Sequence, residues 1–439
     1  MEARPTRNSF QGNLLVEIDF PFLAHLEILP EWEAAARRFL NLGGIVMVLG
    51  AVDTGKSTLS RFLVHRAYAA GQPAGLVDLD LGQSHLGPPA ALGLGRFPPL
   101  VPGDDVLFPQ GLYFIGQTSP LGAILEVAVG CRVLADQALS GGIHHLVVNT
   151  SGLVQGPGAL RLKKAQVELL QPSLILALQQ ERELEPLLQG LGDINHAAKT
   201  SPPLMRGGWG EREAQEVATP TLSLPHQGGR RELPGEGAQA DEGPPGRFGL
   251  KEYPQNSSWQ ILRLPVSSRV SPRDPKTRRL YREARFRRYF KPAGELRLPW
   301  SSFTWEGLPL GQGWPLPPWR LEQFGQRLGV RILSGVGLGR RAVLLTERPP
   351  PEPAAAESAG WPDWDQVHWL SWEGLQWRLL GLLDGRHRTL ALGLILPGPW
   401  DQEALALLTP LAPAAATQVR WVKLGKLRLN REGQEPPQG

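Results

Sequence analysis

The stretch Gly50-Ala51-Val52-Asp53-Thr54-Gly55-Lys56-Ser57 constrains this chain more than any other. It satisfies G-x-x-x-x-G-K-[ST] in full, and its flanks supply the context the pattern needs. The aliphatic run Ile45–Leu49 before it reads as a buried strand, and Leu59, Phe62 and Leu63 after it fall at helical spacing. Glycines at 50 and 55 let the backbone wrap a phosphate chain without a Cβ in the way. The loop N–H groups and the start of the next helix then face the anion. In that frame Lys56 reaches the β- and γ-phosphates and Ser57 holds Mg²⁺. The expected nucleotide-binding set is therefore Gly50, Ala51, Val52, Asp53, Thr54, Gly55, Lys56, Ser57 and Thr58. The alternative is a glycine-rich strand–helix turn with no ligand.

At 439 residues the chain is too long for one ordinary domain. Cys131 is its single cysteine, which excludes a disulfide framework and a cysteine-built zinc site. No signal peptide opens the sequence and no apolar run approaches membrane-span length, so a cytoplasmic protein without a membrane role is expected. A net charge of +4 identifies no partner; its distribution says more.

Strand-like runs at Ala74–Leu79, Leu112–Ile115, His145–Val148 and Leu174–Leu178 alternate with helical patterns at Ala123–Leu139 and Ala159–Leu170. A helix over Pro30–Leu40 stops at Gly43-Gly44, and a short strand is expected at Leu14–Ile18. Alternation of this kind predicts βαβ units and a parallel sheet, with ligands beyond the strand carboxyl ends. The fold class is α/β: a P-loop parallel-sheet core with an arginine-rich lid and a smaller β-rich C-terminal domain. The Gly/Pro-rich sequence after Gly82, through Pro102, reads as loop. Residues 190–257 have no usable period and read as a disordered insertion. The expected divisions are an N-terminal segment 1–42, a P-loop domain 43–295 with lid 269–291, and a β-rich C-terminal domain 296–439 interrupted by a Pro/Ala-rich linker at 349–360. Eleven of the fourteen tryptophans lie after residue 299, where packing of small β-structures is favoured over base stacking.

The strand ends carry the candidate chemistry. Asp78 and Asp80 alternate at one of them, where an acid could hold Mg²⁺ or accept a proton from an attacking hydroxyl; a solvated strand end is the alternative. Asp80 is the better candidate because Gly82-Gln83 follows it at a turn, and Gln83 could orient a nucleophile. Thr118 and Ser119 could hold a phosphate or close an ST-turn. Asn149-Thr150-Ser151-Gly152 sits where a γ-phosphate is sensed in many P-loop proteins, although a neutral Asn149 is a poor primary metal ligand and a cap is as reasonable. From Arg269 to Lys291 ten Lys/Arg face two acids, with Arg278, Arg282 and Arg285 on one helical face; a lid over phosphates is favoured over a solvated basic helix. His85, His144 and His145 lack ligand spacing and are assigned to structure.

Together these motifs resemble the polynucleotide 5′-hydroxyl kinase family, which includes the RNA kinases of tRNA splicing, mRNA 3′-end processing and pre-rRNA processing, and archaeal members. The matching pieces are Gly50–Thr58, Asp78–Gln83 (DLDLGQ), Gly87–Ala90 (GPPA, with Pro88), Gly116–Pro120 (GQTSP), Asn149–Gly152 with Leu153, and the arginine-rich segment ending at Tyr289-Phe290. Leu178-Gln179, Gly381–Asp384 and Thr409-Pro410 fit as well, and the archaeal branch is the nearest in pattern. The resemblance implies transfer of the γ-phosphoryl of ATP (or GTP), with Mg²⁺, to the 5′-hydroxyl of RNA or DNA. It implies Lys56 and Ser57 as phosphate and metal contacts, Asp80 as the group that activates the hydroxyl and a second metal contact, and Arg282 and Arg285 as catalytic lid arginines. It further implies Thr118 at the phosphate-acceptor end, and Gln83, Pro88, Ser119 and Asn149 complete the expected substrate-binding set. Leu153 stands where eukaryotic members carry an aromatic residue expected to stack on the terminal base. No protein partner carries over. Two competing readings are a nucleotide switch that hydrolyses without an acceptor and a non-catalytic RNA-binding subunit. The absence of N-K-x-D and the arginine lid weigh against the first, and intact Lys56, Ser57 and Asp80 against the second.

Overall fold

The structure is a computed structural model that describes residues 26–97, 109–200, 259–308, 312–349 and 364–436, with side chains through 192 in the helix that ends at Thr200. The chain divides into two compact units, 1–193 with 259–439, and 194–258. Of the second, only the backbone of the helix end 194–200 is described. The expected strand at Leu14–Ile18, most of the expected insertion (201–257) and most of the linker (350–360) lie outside the described residues.

The first unit begins with helix α1, Pro30–Leu42. Proline at its first position, Glu31 and Glu33 in its first turn and Gly43 at φ 63° set its ends. Strand β1 (Gly44–Gly50) leads into the P loop and helix α2 (Lys56–Ala69). Then come β2 (Ala74–Asp78), β3 (Ala91–Phe97), β4 (Gly111–Phe114), α3 (Ile124–Ser140), β5 (His145–Asn149), α4 (Pro157–Leu170), β6 (Leu174–Gln179), α5 (Glu185–Thr200) and β7 (Gln260–Pro265). The seven-stranded sheet has the order β4-β3-β2-β5-β1-β6-β7. Strands β2, β5, β1, β6 and β7 pair in parallel, as the βαβ alternation predicts.

Two features depart from the sequence reading. Residues 91–97, read as loop, form β3, which runs antiparallel to β2 and β4. Glycines 93 and 95 gave that segment its loop character, and a Cβ on Gly93 would fall 2.6 Å from the Leu86 carbonyl oxygen. Close approach, not a turn, explains the glycine. Helix α5 also extends through Thr200, into the start of the expected insertion.

Alternate residues of the strands feed two cores, one on each face of the sheet. Val46, Val48, Leu76, Val147 and Leu176 pack under α1 and α2 with Trp32, Phe39, Leu59 and Phe62. Ile45, Val77, Leu94, Leu146 and Val148 pack under α3 and α4 with Val127, Cys131, Leu134 and Leu162. Fully burying each such side chain stabilises the fold by about 1.5–3 kcal/mol. The same register aligns the functional strand ends: Val48 and Asp78 both lie level with Asn149.

After β7 the lid helix α6 (Pro275–Phe290) starts at Asp274, whose carboxylate accepts from the Thr277 N–H at 2.7 Å. The remainder forms a six-stranded sheet of β8 (Gly294–Pro299), β16 (Ala404–Thr409), β15 (Thr389–Ile395), β14 (Arg378–Leu383), β17 (Trp421–Arg428) and β9 (Thr304–Glu306), in that spatial order. A four-stranded sheet joins β10 (Trp314–Pro315), β11 (Ile332–Leu338), β12 (Arg341–Thr346) and β13 (Gln366–Ser371), with helices α7 (Pro318–Leu328) and α8 (Trp372–Leu375) alongside. Strands β14 and β15 form an antiparallel hairpin within the six-stranded sheet. Its core holds Trp305 and Trp372, and Trp300 stacks on Trp400 at 4.7 Å, so these tryptophans do pack; Trp314 and Trp319 are exposed.

The C-terminal sheet docks on the P-loop core at one seam. Phe114 of β4 packs with Phe286 and Phe290 of α6 and with Leu379, Leu392 and Leu394. Glycine is required there. A Cβ on Gly381 would sit 2.5 Å from the Phe114 ring, and one on Gly116 would sit 2.6 Å from Gly425 Cα. The Lys426 N–H donates to the Gly116 carbonyl at 2.7 Å, which ties β17 to the loop that carries Gln117, Thr118 and Ser119.

Candidate active site

The P loop adopts a tightly wound conformation. Gly55 takes φ 84° and Asp53 a left-handed φ of 56°, unusual for a residue with a Cβ. A Cβ on Gly50 would lie 2.5 Å from Thr54 Oγ1 and 3.1 Å from the Leu178 carbonyl oxygen, so only glycine fits. Thr54 Oγ1 donates to the Ala51 carbonyl at 3.0 Å, and Lys56 Nζ donates to the same oxygen at 2.5 Å. Burial pulls the Lys56 ammonium below its ordinary pKa, against the pull of Asp80, Asp53 and Asp78. A desolvated cation at a helix N-terminus, with the loop amides beside it, suits a polyphosphate.

The two aspartates separate in role. Asp78 closes β2 and is fully buried. Its Oδ1 accepts from the Asp80 N–H at 3.1 Å and from Asn149 Nδ2 at 2.9 Å, and its Oδ2 accepts from the His85 N–H at 2.7 Å. Burial, helped by repulsion from Asp80 and opposed by these bonds, raises its pKa to about 6. Asp80 is half-buried on the cleft wall with Lys56, Ser57, Gln83 and His85. The N–H groups of Gly82 and Gln83 donate to its Oδ1 at 3.1 and 2.9 Å. The turn at Gly82-Gln83 thus fixes the Asp80 carboxylate against the phosphate-binding loop.

Asn149 Nδ2 also donates to Ser57 Oγ at 3.1 Å, so one amide links the P-loop hydroxyl to Asp78. Gly152 packs on the P loop; a Cβ there would sit 2.7 Å from Val52 Cγ2. Behind this loop Lys163 of α4 is fully buried and donates to the Ser151 carbonyl at 2.9 Å. Burial, reinforced by Lys56, lowers the Lys163 pKa to about 7.

In the loop expected to meet the acceptor, the Thr118 carbonyl oxygen would lie 3.2 Å from a Cβ on Gly82, which places the Gly116–Pro120 loop against the Asp80 turn. Ser119 Oγ accepts from the Leu121 N–H at 3.3 Å, the ST-turn that the sequence left open. Pro88 is buried, next to Gly87, whose carbonyl accepts from Arg285 of the lid helix.

The lid helix lies over both loops. Asp53 Oδ2 accepts from the Arg273 N–H at 2.9 Å and from an Arg278 guanidinium nitrogen at 2.7 Å. Burial raises the Asp53 pKa, but these two arginines outweigh it and hold the carboxyl below its ordinary range. Arg273 also reaches Gln83 Oε1 at 3.2 Å, and Gln83 Nε2 donates to the Arg278 carbonyl at 3.2 Å. Arg285 donates to the carbonyls of His85 and Gly87 at 3.0 and 2.7 Å, whereas Arg282 is paired with Glu435. Lys56, Ser57, Asp80, Gln83 and the P-loop residues Val52 to Thr58 therefore line one cleft. Arg282 and Arg285 are not among its lining residues, although Arg285 grips the rim.

Two cleft residues were not singled out from the sequence. Arg273 lies outside the helical i, i+4, i+7 set because it precedes the helix cap. His85, assigned to structure, lines the cleft and faces Tyr281 at 6.0 Å between ring centres. Burial first, and then nearby arginines, lower the His85 pKa to about 3, so its ring is neutral. His145 is structural: its ring contacts the Leu40 carbonyl at 3.2 Å and the Phe39 edge.

The chain is similar to known proteins along nearly its whole length. Residues 50–207 match the family model described as the P-loop of mRNA cleavage and polyadenylation factor CLP1. A polyribonucleotide 5′-hydroxyl-kinase of Pyrococcus horikoshii is 23% identical over 390 residues, 89% of this chain and 87% of that protein. Another, of Methanocaldococcus jannaschii, is 33% identical over 144 residues, 33% of this chain and 39% of that one. Among solved structures, a Clp1p bound to Pcf11p superposes with a TM-score of 0.51 at 14% identity, covering 92% of this chain and 80% of that chain; at that identity it speaks for the fold alone. No helix among the described residues is long and apolar enough to cross a membrane. The P loop, the strand-end aspartates and these similarities converge: residues 50–207 match the Clp1-type P-loop, and the chain as a whole is similar to archaeal polyribonucleotide 5′-hydroxyl kinases.

Proposed function

We propose that this protein transfers the γ-phosphoryl of ATP (or GTP) to the 5′-hydroxyl end of RNA, with DNA ends as a second acceptor. The observation that carries the reading is Asp80: a carboxylate fixed by two turn amides, in the cleft that also holds Lys56 and Ser57. A hydroxyl entering past the Gly116–Pro120 loop would meet this carboxylate on the phosphate side. Asp80 then accepts the hydroxyl proton as the oxygen attacks, worth about 10²–10⁴-fold in rate. Lys56 and the P-loop amides take up charge on the transferring phosphoryl group, and the rigid turn supplies alignment. Arg273 and Arg278 close the P-loop side of the cleft, and Arg285 anchors the lid to the loop after β2.

Mg²⁺ suits the residues present. Ser57 Oγ, Asp80 and the buried Asp78 are hard oxygen donors, and Mg²⁺ takes only one or two protein ligands beside phosphates and waters. Ser57 and Asp80 would hold it, and when bound it would neutralise phosphate charge. The acceptor strand has a fitting path in an apolar groove of about 890 Å³ lined by Gly87, Leu112, Arg285, Arg288, Tyr289 and Lys291.

Nucleotide turnover with and without a 5′-hydroxyl oligoribonucleotide tests the reading. A kinase consumes nucleotide only when the acceptor is present. Phosphate release indifferent to the oligonucleotide would instead mark a nucleotide switch, and tight RNA binding without turnover a binding subunit.

A further inference from the structure

The lid helix carries one contact that the transfer chemistry does not use. Arg278, Arg282 and Arg285 share a face of α6, and the outer two reach Asp53 and the carbonyls of His85 and Gly87. Arg282, between them, presents Nε and a terminal nitrogen to the two oxygens of Glu435, at 2.7 and 3.0 Å. Arg279 adds hydrogen bonds to the carbonyls of Glu435 and Pro436. Both charged groups of the pair are largely shielded, at 18% and 15% exposure.

The segment that bears Glu435 is shaped to hold it there. The Asn430 N–H donates to the Gln434 carbonyl at 2.9 Å, and the Gln434 N–H donates to Asn430 Oδ1 at 2.8 Å, closing a compact turn. Gly433, at φ 76°, backs onto α6; a Cβ there would lie 3.0 Å from Phe286 Cβ and from the Arg287 nitrogen. A flexible tail would need no such fit.

A carboxylate offers arginine the same two-oxygen fork as a phosphate. We propose that residues 430–436 form a strap in which Glu435 stands in for a backbone phosphate of the acceptor strand, and that the polynucleotide displaces it from Arg282 and Arg279 on binding. The strap thereby sets the affinity for polynucleotide while leaving the nucleotide cleft untouched. This rests on the kinase reading and adds a regulatory contact to it.

The test compares Glu435→Gln and Glu435→Ala with Glu432→Gln, which makes the same charge change at an exposed position of the same turn. Label-transfer kinetics and anisotropy of a fluorescent 5′-hydroxyl oligoribonucleotide are read for each. If the strap is closed in most free molecules, both Glu435 variants bind about three- to tenfold tighter, since apparent affinity scales with the competent fraction. KM for RNA falls by the same factor, KM for ATP and kcat stay fixed, and Glu432→Gln matches wild type. Equal effects at both positions, no effect, or weaker binding in the Glu435 variants overturn the strap. Wild-type protein that transfers no label overturns the kinase reading instead. The strap is then decided by hydrogen exchange of the 430–436 amides: faster exchange when the oligonucleotide is added supports displacement, and unchanged exchange refutes it.

Discussion

Asp80 and Asp78 stand two residues apart and are expected to answer mutation differently. Asp80→Asn keeps the size and the amide contacts of the turn but removes the proton acceptor. It should lower kcat by about 10²–10³-fold with little change in KM for ATP, as expected for a lost general base. Unchanged kcat in single-turnover label transfer would remove Asp80 from the mechanism. Asp78→Asn should instead act on stability. Burial has raised the Asp78 pKa to about 6 from its ordinary 3.8. As pH rises from about 4 to about 6 the unfolded chain gives up this proton before the folded one does. The group's contribution is therefore fully present below pH 4 and is lost through pH 6. Denaturant midpoints without nucleotide should show wild type losing stability relative to Asp78→Asn across that window, and a constant difference would contradict the assignment. The sequence offered both acids at one strand end. It could not separate them, because the separation comes from the turn at Gly82-Gln83 and from the Asn149 amide, which belongs to a neighbouring strand.

At the scale of elements, α4 serves the active-site loop through one buried cation. The Lys163 pKa is lowered to about 7 from 10.5 by burial, so between those values the unfolded chain binds the proton and the folded one does not. Stability should therefore rise with pH from about 7 toward 10. Lys163→Met should remove that rise while leaving the lower-pH profile in place; chemical denaturation at pH 7 and 9.5 measures it, and an unchanged slope would show the cation to be solvated. The elements themselves were largely legible. Helical period and flanking turn signals marked α1, α2, α3 and α4, and the central parallel strands stood out as continuous aliphatic runs because both of their faces are buried in the two cores. Strand β3 was hidden by its own glycines, whose cause is the approach of the Leu86 backbone rather than anything local. The basic character of α6 was plain, but which arginines meet the cleft was not. Arg273 acts from ahead of the cap, and Arg282 answers to Glu435, a residue 153 positions later.

Across the molecule, the P-loop core and the C-terminal sheet meet through Phe114, packed against Gly381 and Gly425, and through the bond from Lys426 to Gly116. That seam runs directly into the loop of Thr118, so the C-terminal sheet supports the loop proposed to meet the acceptor. Gly381→Val should push the ring aside and destabilise the protein by about 1–3 kcal/mol, the usual cost of overpacking. It should also raise KM for the polynucleotide more than KM for ATP, because the P loop lies away from the seam. Equal changes in both constants would contradict the support role. No sequence pattern announces such a seam, since the glycines involved look like ordinary strand breaks until the ring that needs them is seen.

The central claim is that one cleft holds a nucleotide and a hydroxyl acceptor together. Transfer of label from γ-labelled ATP, with Mg²⁺, to a 5′-hydroxyl RNA oligonucleotide tests it most directly, with a 5′-phosphorylated oligonucleotide and Lys56→Ala as controls. The account predicts label on the 5′-hydroxyl RNA alone, abolished by Lys56→Ala. Labelled phosphate released with none on the RNA would contradict it.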